Sequence, residues 1–460
     1  MAQLATLVNV GDVNYNDKFY KLANNINLSA YGSNFNDGKG WIPIGKYDPV
    51  NVANNFPFKG VFDGDNNRIT GLYINDPDLF SGAGLFGSIV ERGIYNLIVD
   101  SVNIRAAGYV GSVAGHISIG GLWQCGSSGN IVGWQHVGGL VGHLELNAFT
   151  LNCYSLCNVS GLNAASDFIG GIAGWAENIC KITNCYSTGN VSGRDFIGGI
   201  VGCLSLASIV SNSYSTGNVT GNDNVGGIAG CVPGAFLINC YSTGSVSGND
   251  FVGGIAGNVT NTLACLKGAI IDCAALNPSV EGENYVGRVI GRNITQDTIN
   301  NVAYDGLLTK AGDINWNNKE RDQIDGEDIT KETINADRTL GGRFIDTVWT
   351  TQKGKLPGLF KQTVDMPQHL LMGNAIVTKI RDNSNIRIYP NPTNGQLKIE
   401  SGKLKIEKVE IFDIVGKKIQ SKTVNPQSEI VVDVSGLPSG TYFITIYGEG
   451  QKITKKFVKE

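Results

Sequence analysis

A short segment closing on glycine recurs along this chain, and its spacing constrains the fold more than any other feature. Phe168 to Gly174 reads FIGGIAG, Phe196 to Gly202 FIGGIVG, Asn224 to Gly230 NVGGIAG and Phe251 to Gly257 FVGGIAG. Degenerate copies close at Gly87, Gly115, Gly142 and Gly291, so successive closing glycines lie 28, 27, 32, 28, 28, 27 and 34 residues apart. A second block keeps phase: NCYSLCNVSG from Asn152, NCYSTGNVSG from Asn184, NSYSTGNVTG from Asn212 and NCYSTGSVSG from Asn239. Self-similarity at such a period means stacked supersecondary units, each contacting its neighbours. Within each copy, β-branched and aromatic runs are broken by Gly, Asn and Ser, the pattern of strand, turn, strand. A propeller blade needs about 40 residues, and a leucine-rich repeat needs its own leucine spacing. The expectation is an all-β chain built on a parallel β-solenoid of about eight laps, right-handed by the crossover rule. Equivalent residues then stack in columns at about 4.8 Å per lap.

Composition serves that reading. The chain holds 62 glycines in 460 residues, expected at corners of positive φ and where adjacent backbones approach closely. With 42% hydrophobic and 17% charged residues it is neither a disordered tail nor a collagen. A net charge of -4 leaves no basic footprint for nucleic acid. No apolar run reaches 18 residues, so no transmembrane segment is expected. The repeat sets the expected boundaries: an N-terminal cap over 1–57, the solenoid over 58–305, a closing and capping segment over 306–361 and a linker over 362–385. Residues 386–460 carry a net +4 against -8 for the rest, alternate apolar and polar residues, and are expected to form a small antiparallel β-sandwich.

Two resemblances follow from these motifs. The recurring G-[GL]-[LIV]-[AVF]-G pattern, the NCYSTGNVSG blocks and FKGVFDGDNNRITGL from Phe58 to Leu72 resemble the GLUG-motif repeats of bacterial surface proteins. That resemblance implies an extracellular β-helical stalk or adhesin and carries over no catalytic residue. Residues 386–460 resemble the type A C-terminal sorting domain of the type IX (Por) secretion system. The matching stretches are IYPNPTNGQLKIE from Ile388, VEIFDIVGKKI from Val409, VDVSGLPSGTYFITI from Val432 and the basic end KKFVKE. This resemblance implies contact with the type IX machinery, passage through the periplasm, and a secreted or outer-membrane-attached protein, usually with the domain removed. It also implies a Sec leader. Met1 to Asn9 is too short and uncharged for one, so the chain is expected to be a mature or re-started form, or a truncated reading frame.

Ten cysteines lie between positions 125 and 273, with no CxxC pair or accompanying histidine cluster, so a zinc signature is absent. Cys153, Cys185, Cys240 and Cys273 share one column and Cys203 with Cys231 another. On an export route, Cys203 with Cys231 and Cys153 with Cys185 are candidate disulfides, the alternative being a ladder of buried thiols. Between Ala106 and Val280 only ten residues are charged. Four of them, Asp167, Asp195, Asp223 and Asp250, form a column that could hold calcium, which prefers oxygen ligands; the alternative is that each closes a turn. No other cofactor is expected. His116 and His143 share a column without an evident third ligand, and read as a surface or core pair. Asn152, Asn184, Asn212 and Asn239 make an amide column, and Tyr154, Tyr186, Tyr214 and Tyr241 a ring column. These are mainly architectural, although exposed tyrosines would offer a carbohydrate or protein face. Inserted loops within Leu144 to Ala165 and Thr260 to Glu283 are expected to project. No G-x-S-x-G, H-E-x-x-H or P-loop occurs. The reading is a non-catalytic adhesin or structural rod that binds a glycan or protein; the alternative is a polysaccharide-degrading β-helix enzyme, a lyase or glycoside hydrolase.

Overall fold

The structure, a computed structural model, describes residues 1–49, 51–262, 266–309, 312–345, 348–372, 386–401, 405–413, 417–448 and 451–460. Half of the chain is strand and 6% is helix. Contacts divide it into two units, Met1–Met372 and Gly373–Glu460.

The first unit is a parallel β-solenoid of about nine turns, one more than the repeat count suggests. One face is a ten-stranded parallel sheet running from Phe19–Lys21 to Thr298–Ile299. A second face stacks parallel strands from Phe86–Val90 to Ile290–Asn293, and a third carries the NCYSTG and D-[FN]-[IV]-G segments. Register follows the repeat: Ile169, Ile197, Val225, Val252 and Val286 are consecutive partners. All but Val286, which is half-buried, are fully buried, and they head one of the columns that fill the interior.

The glycines serve both expected purposes: Gly71, Gly82, Gly129 and Gly234 have positive φ, and the recurring ones of the repeat meet close backbone approach. Gly138, Gly170, Gly198, Gly226 and Gly253 do not have positive φ; they sit where a Cβ would lie 2.0 to 2.1 Å from a backbone carbonyl oxygen. Most corners of positive φ in the repeat itself are occupied by asparagine and aromatic residues, among them Asn152, Asn184, Asn212 and Asn239 at φ +48 to +56°. Asparagine tolerates this left-handed region because its side chain bonds locally.

The cap is shorter than residues 1–57. Helix Ala2–Asn9 buries Leu4, Ala5 and Val8 on the core, and by Phe19 the chain already pairs in parallel with Val61–Asp63. Insertions fall inside the anticipated windows. Gly133 pairs with Gly161 but Gln135 with Asp167, which places four extra residues between them. The other is an antiparallel excursion in which Asn261 opposes Lys267; Cys265 lies outside the described residues. The stretch expected as a linker begins inside the solenoid unit, where Met366 and Leu370 are buried in its core. Residues 373–385 of that linker lie outside the described residues.

The second unit holds two antiparallel sheets. Arg387–Tyr389, Gln396–Glu400 and Glu429–Asp433 form one; Lys418–Gln427, Ile406–Phe412, Gly440–Gly448 and Gln451–Lys459 form the other. Alternate residues such as Leu397, Ile399, Val409, Ile411, Ile444 and Ile446 fill its core.

Candidate ligand groove on the amide ladder

The asparagine corners bring one carboxamide per lap to the same edge of the rod. Asn184 Nδ2 donates to Asn152 Oδ1 at 2.9 Å, and Asn212 Nδ2 to Asn184 Oδ1 at 3.3 Å. Two residues on, the tyrosines stack with ring centroids 5.4, 5.0 and 5.0 Å apart from Tyr154 to Tyr241. Burial rises along this column: Tyr154 and Tyr186 are half-buried, Tyr214 is 6% exposed and Tyr241 is fully enclosed. Loss of solvent pushes the Tyr186 phenol up to about 12.

The cause of the gradient is a strap formed by residues 343–345 and 348–362. Phe344 and Trp349 pack on Tyr241, Trp349 reaches Tyr214, and Phe360 lies against Tyr186. The Tyr241 hydroxyl donates to Pro357 O at 2.6 Å. The closing segment therefore covers a side of the rod, and Tyr214 and Tyr241 are removed from any exposed face. Where the strap ends, a groove of about 510 Å³ opens, lined by Asn66, Asn96, Gln124, Asn152, Asn184, Tyr154, Phe360 and Lys361 among others. Its described lining contains carboxamides, a tyrosine, apolar side chains and one lysine, with no Asp or Glu.

The aspartate column lies elsewhere on the lap and is largely engaged. Arg194 Nη2 and Nε donate to Asp167 at 2.8 and 3.1 Å, and Arg194 Nε lies 3.0 Å from Asp195 Oδ2. Asp195 Oδ1 accepts from the Asp223 backbone N–H at 3.1 Å, and Asp250 Oδ1 accepts from Asn284 Nδ2 at 2.8 Å. Only Asp223 Oδ1 is buried without a partner in this column.

Cys203 and Cys231 face each other on adjacent laps with Cα atoms 4.8 Å apart and are joined as a disulfide. Cys153 and Cys185 are not joined. Both are buried free thiols, as are Cys240 and Cys273, and each donates to the carbonyl two residues before it.

The histidine column is not a bare pair. His116 Nε2 is 3.1 Å from Glu145 Oε1, and His143 Nε2 is 3.3 Å from Glu177 Oε1, both outside hydrogen-bond geometry. His116 Nδ1 meets Ser88 Oγ at 3.1 Å, while Tyr47 stacks on the His116 ring at 3.8 Å. His136 stacks between Tyr109 and Phe168, and burial lowers its pKa to about 3. The spacing does contain a signal for the two glutamates: each follows the column position by two residues and so faces the same way along its strand.

The fold and the export module together define a secreted, surface-attached β-solenoid protein. Residues 387–460 match the secretion system C-terminal sorting domain, and residues 169–192 match the GLUG motif. The sorting domain places the chain on the type IX route, with attachment at the outer membrane. Halomucin of Haloquadratum walsbyi is 34% identical over 146 residues, which is 31% of this chain and 2% of that protein. The chain thus spans a small fraction of the curated relative it matches. A solved Bacteroides ovatus structure described as an immunoglobulin A1 protease is 20% identical, with a TM-score of 0.41, covering 75% of this chain and 87% of that one. No helix among the described residues is long and apolar enough to cross a membrane.

Proposed function

We propose that this protein is a non-catalytic surface adhesin that holds a glycan in the groove beside Tyr154. The observation that carries the reading is the lining itself. Carboxamides recur once per lap, about 4.8 Å apart, each offering donors and acceptors, and this spacing is close to the length of one sugar ring in an extended chain. Tyr154 and Phe360 supply apolar ring faces on which a pyranose lies flat. A glycosidase needs two carboxyl groups flanking the scissile bond, and none lines this groove. Calcium at the aspartate column stays a secondary proposal, confined to its Asp223 and Asp250 half because Arg194 occupies the other.

A glycan array probed with the full chain tests the reading. Binding to a defined set of neutral oligosaccharides is expected, weakened at least about tenfold by Tyr154→Ala, the loss of one stacking platform. Equal retention by the variant, no binding at all, or release of shortened products would overturn it.

A further inference from the structure

The strongest unexplained cluster lies on another face of the solenoid. His116, His143 and Glu145 each offer one potential ligand atom, and these atoms all lie within 4.8 Å of one another. Both histidines are at least nine-tenths buried, and neither Nδ1 nor Nε2 of His143 has a hydrogen-bond partner. Orphaned buried nitrogens are costly in an apolar rod, since each forgoes its bonds to water. Glu177 Oε1, on the next lap, lies 3.3 Å from His143 Nε2.

The geometry points to a binding site for one divalent transition metal of the zinc type, held by His116, His143 and Glu145 with Glu177 as fourth ligand. Four ligands about 2.0–2.2 Å from a tetrahedral ion stand roughly 3.4 Å from each other, close to the 3.1 and 3.3 Å separations already present. The remaining separations, up to 4.8 Å among His116, His143 and Glu145, close through small rotations of the histidine and glutamate side chains. Two imidazoles with two carboxylates suit zinc and its neighbours in the transition series; calcium prefers an all-oxygen shell. Ser88 provides the outer support: with His116 Nδ1–H donating to Ser88 Oγ, Nε2 presents its lone pair to the ion. The glutamate side chains are 23% and 19% exposed and give the ion access from solvent. Its ligands come from three successive laps, so the ion would staple the column two rungs before the Cys203–Cys231 bridge begins.

Calorimetry with the chelator-treated full chain and zinc alone is the direct test, followed by cobalt substitution read by visible absorption. We expect one zinc per chain, strong four-coordinate cobalt bands, and a melting temperature raised by about 3 °C at roughly a hundredfold excess over Kd. Glu145→Gln, at a partly exposed position that leaves the fold intact, should weaken zinc at least about tenfold, and His143→Asn should abolish the cobalt bands. No zinc heat, equal heat from calcium, or zinc binding unchanged in Glu145→Gln would overturn the site.

Discussion

The two units are both β-structure, yet they are held together in different ways. In the solenoid, laps are separated by one strand spacing and side chains beneath the glycines have no room. Adding a Cβ at Gly198 would place it 2.0 Å from Val201 O and 2.7 Å from Ile228 O. In the sorting domain a Cβ on Gly395 would meet nothing closer than 3.8 Å, and one on Gly436 nothing within 4 Å. Charge divides them as well: the central laps hold ten charged residues between positions 106 and 280, whereas residues 386–460 hold twenty. The difference shows that a parallel repeat relies on backbone proximity and columns of like residues, while an antiparallel sandwich relies on alternating faces and surface ion pairs.

The comparison breaks most visibly at the glycines. Gly198→Ala should cost the solenoid about 3 kcal/mol or more, because the carbonyls it strikes are backbone and cannot turn aside. Gly395→Ala should change stability by less than about 0.5 kcal/mol, and denaturant melts of both variants decide the matter. Next comes the strap. Tyr241→Phe leaves Pro357 O buried without its donor, and a loss of about 1–3 kcal/mol is expected in the same melts, with no matching effect from Tyr389→Phe in the sorting domain.

Acid distinguishes the units in a third way. Lys408 at 2.8 Å, then Tyr447 and Lys418, hold the Glu410 carboxyl down to about 2 from an ordinary 4.5. A lowered folded-state value means stabilisation that is complete above the ordinary value and fades as pH falls from 4.5 toward 2. Screening of the exposed lysines limits it to about 1–2 kcal/mol. The melting transition of the sorting domain should therefore drop over that range, and Glu410→Gln should flatten the dependence. The smallest effect belongs to Arg194→Gln, worth under about 1 kcal/mol as a surface pair. By freeing Asp167 and Asp195 it should create a calcium heat larger than the wild type gives; no calcium heat from either form would remove the aspartate column as a cation site.

The fold was largely legible because a 27- to 28-residue step allows one stacking register, and register determines every column at once. Columns, however, say which residues are neighbours along the axis and not what lies over them. Tyr214 and Tyr241 looked as open as Tyr154, since the strap that encloses them is more than 100 residues away in sequence and has no periodicity. The glycine excess divides between left-handed corners such as Gly71 and Gly234 and the recurring glycines that answer to contacts between laps, while asparagine and aromatic residues take most corners of the repeat itself. Glu145 and Glu177 were legible in a simpler way: their offset of two from the column of His143 and Trp175 places them on its face.

The strap also alters how the rod comes apart. A solenoid of independent laps frays from its ends, since each rung is held only by the next. Here Phe360, Trp349 and Phe344 clasp the rungs of Tyr186, Tyr214 and Tyr241 together, and Pro357 O is tied to the last of them. Peeling any one of those laps requires the clasp to open first. A pull along the chain should then meet a single high-force event for this block, in place of a staircase of small ones, a useful property in a protein attached at the cell surface.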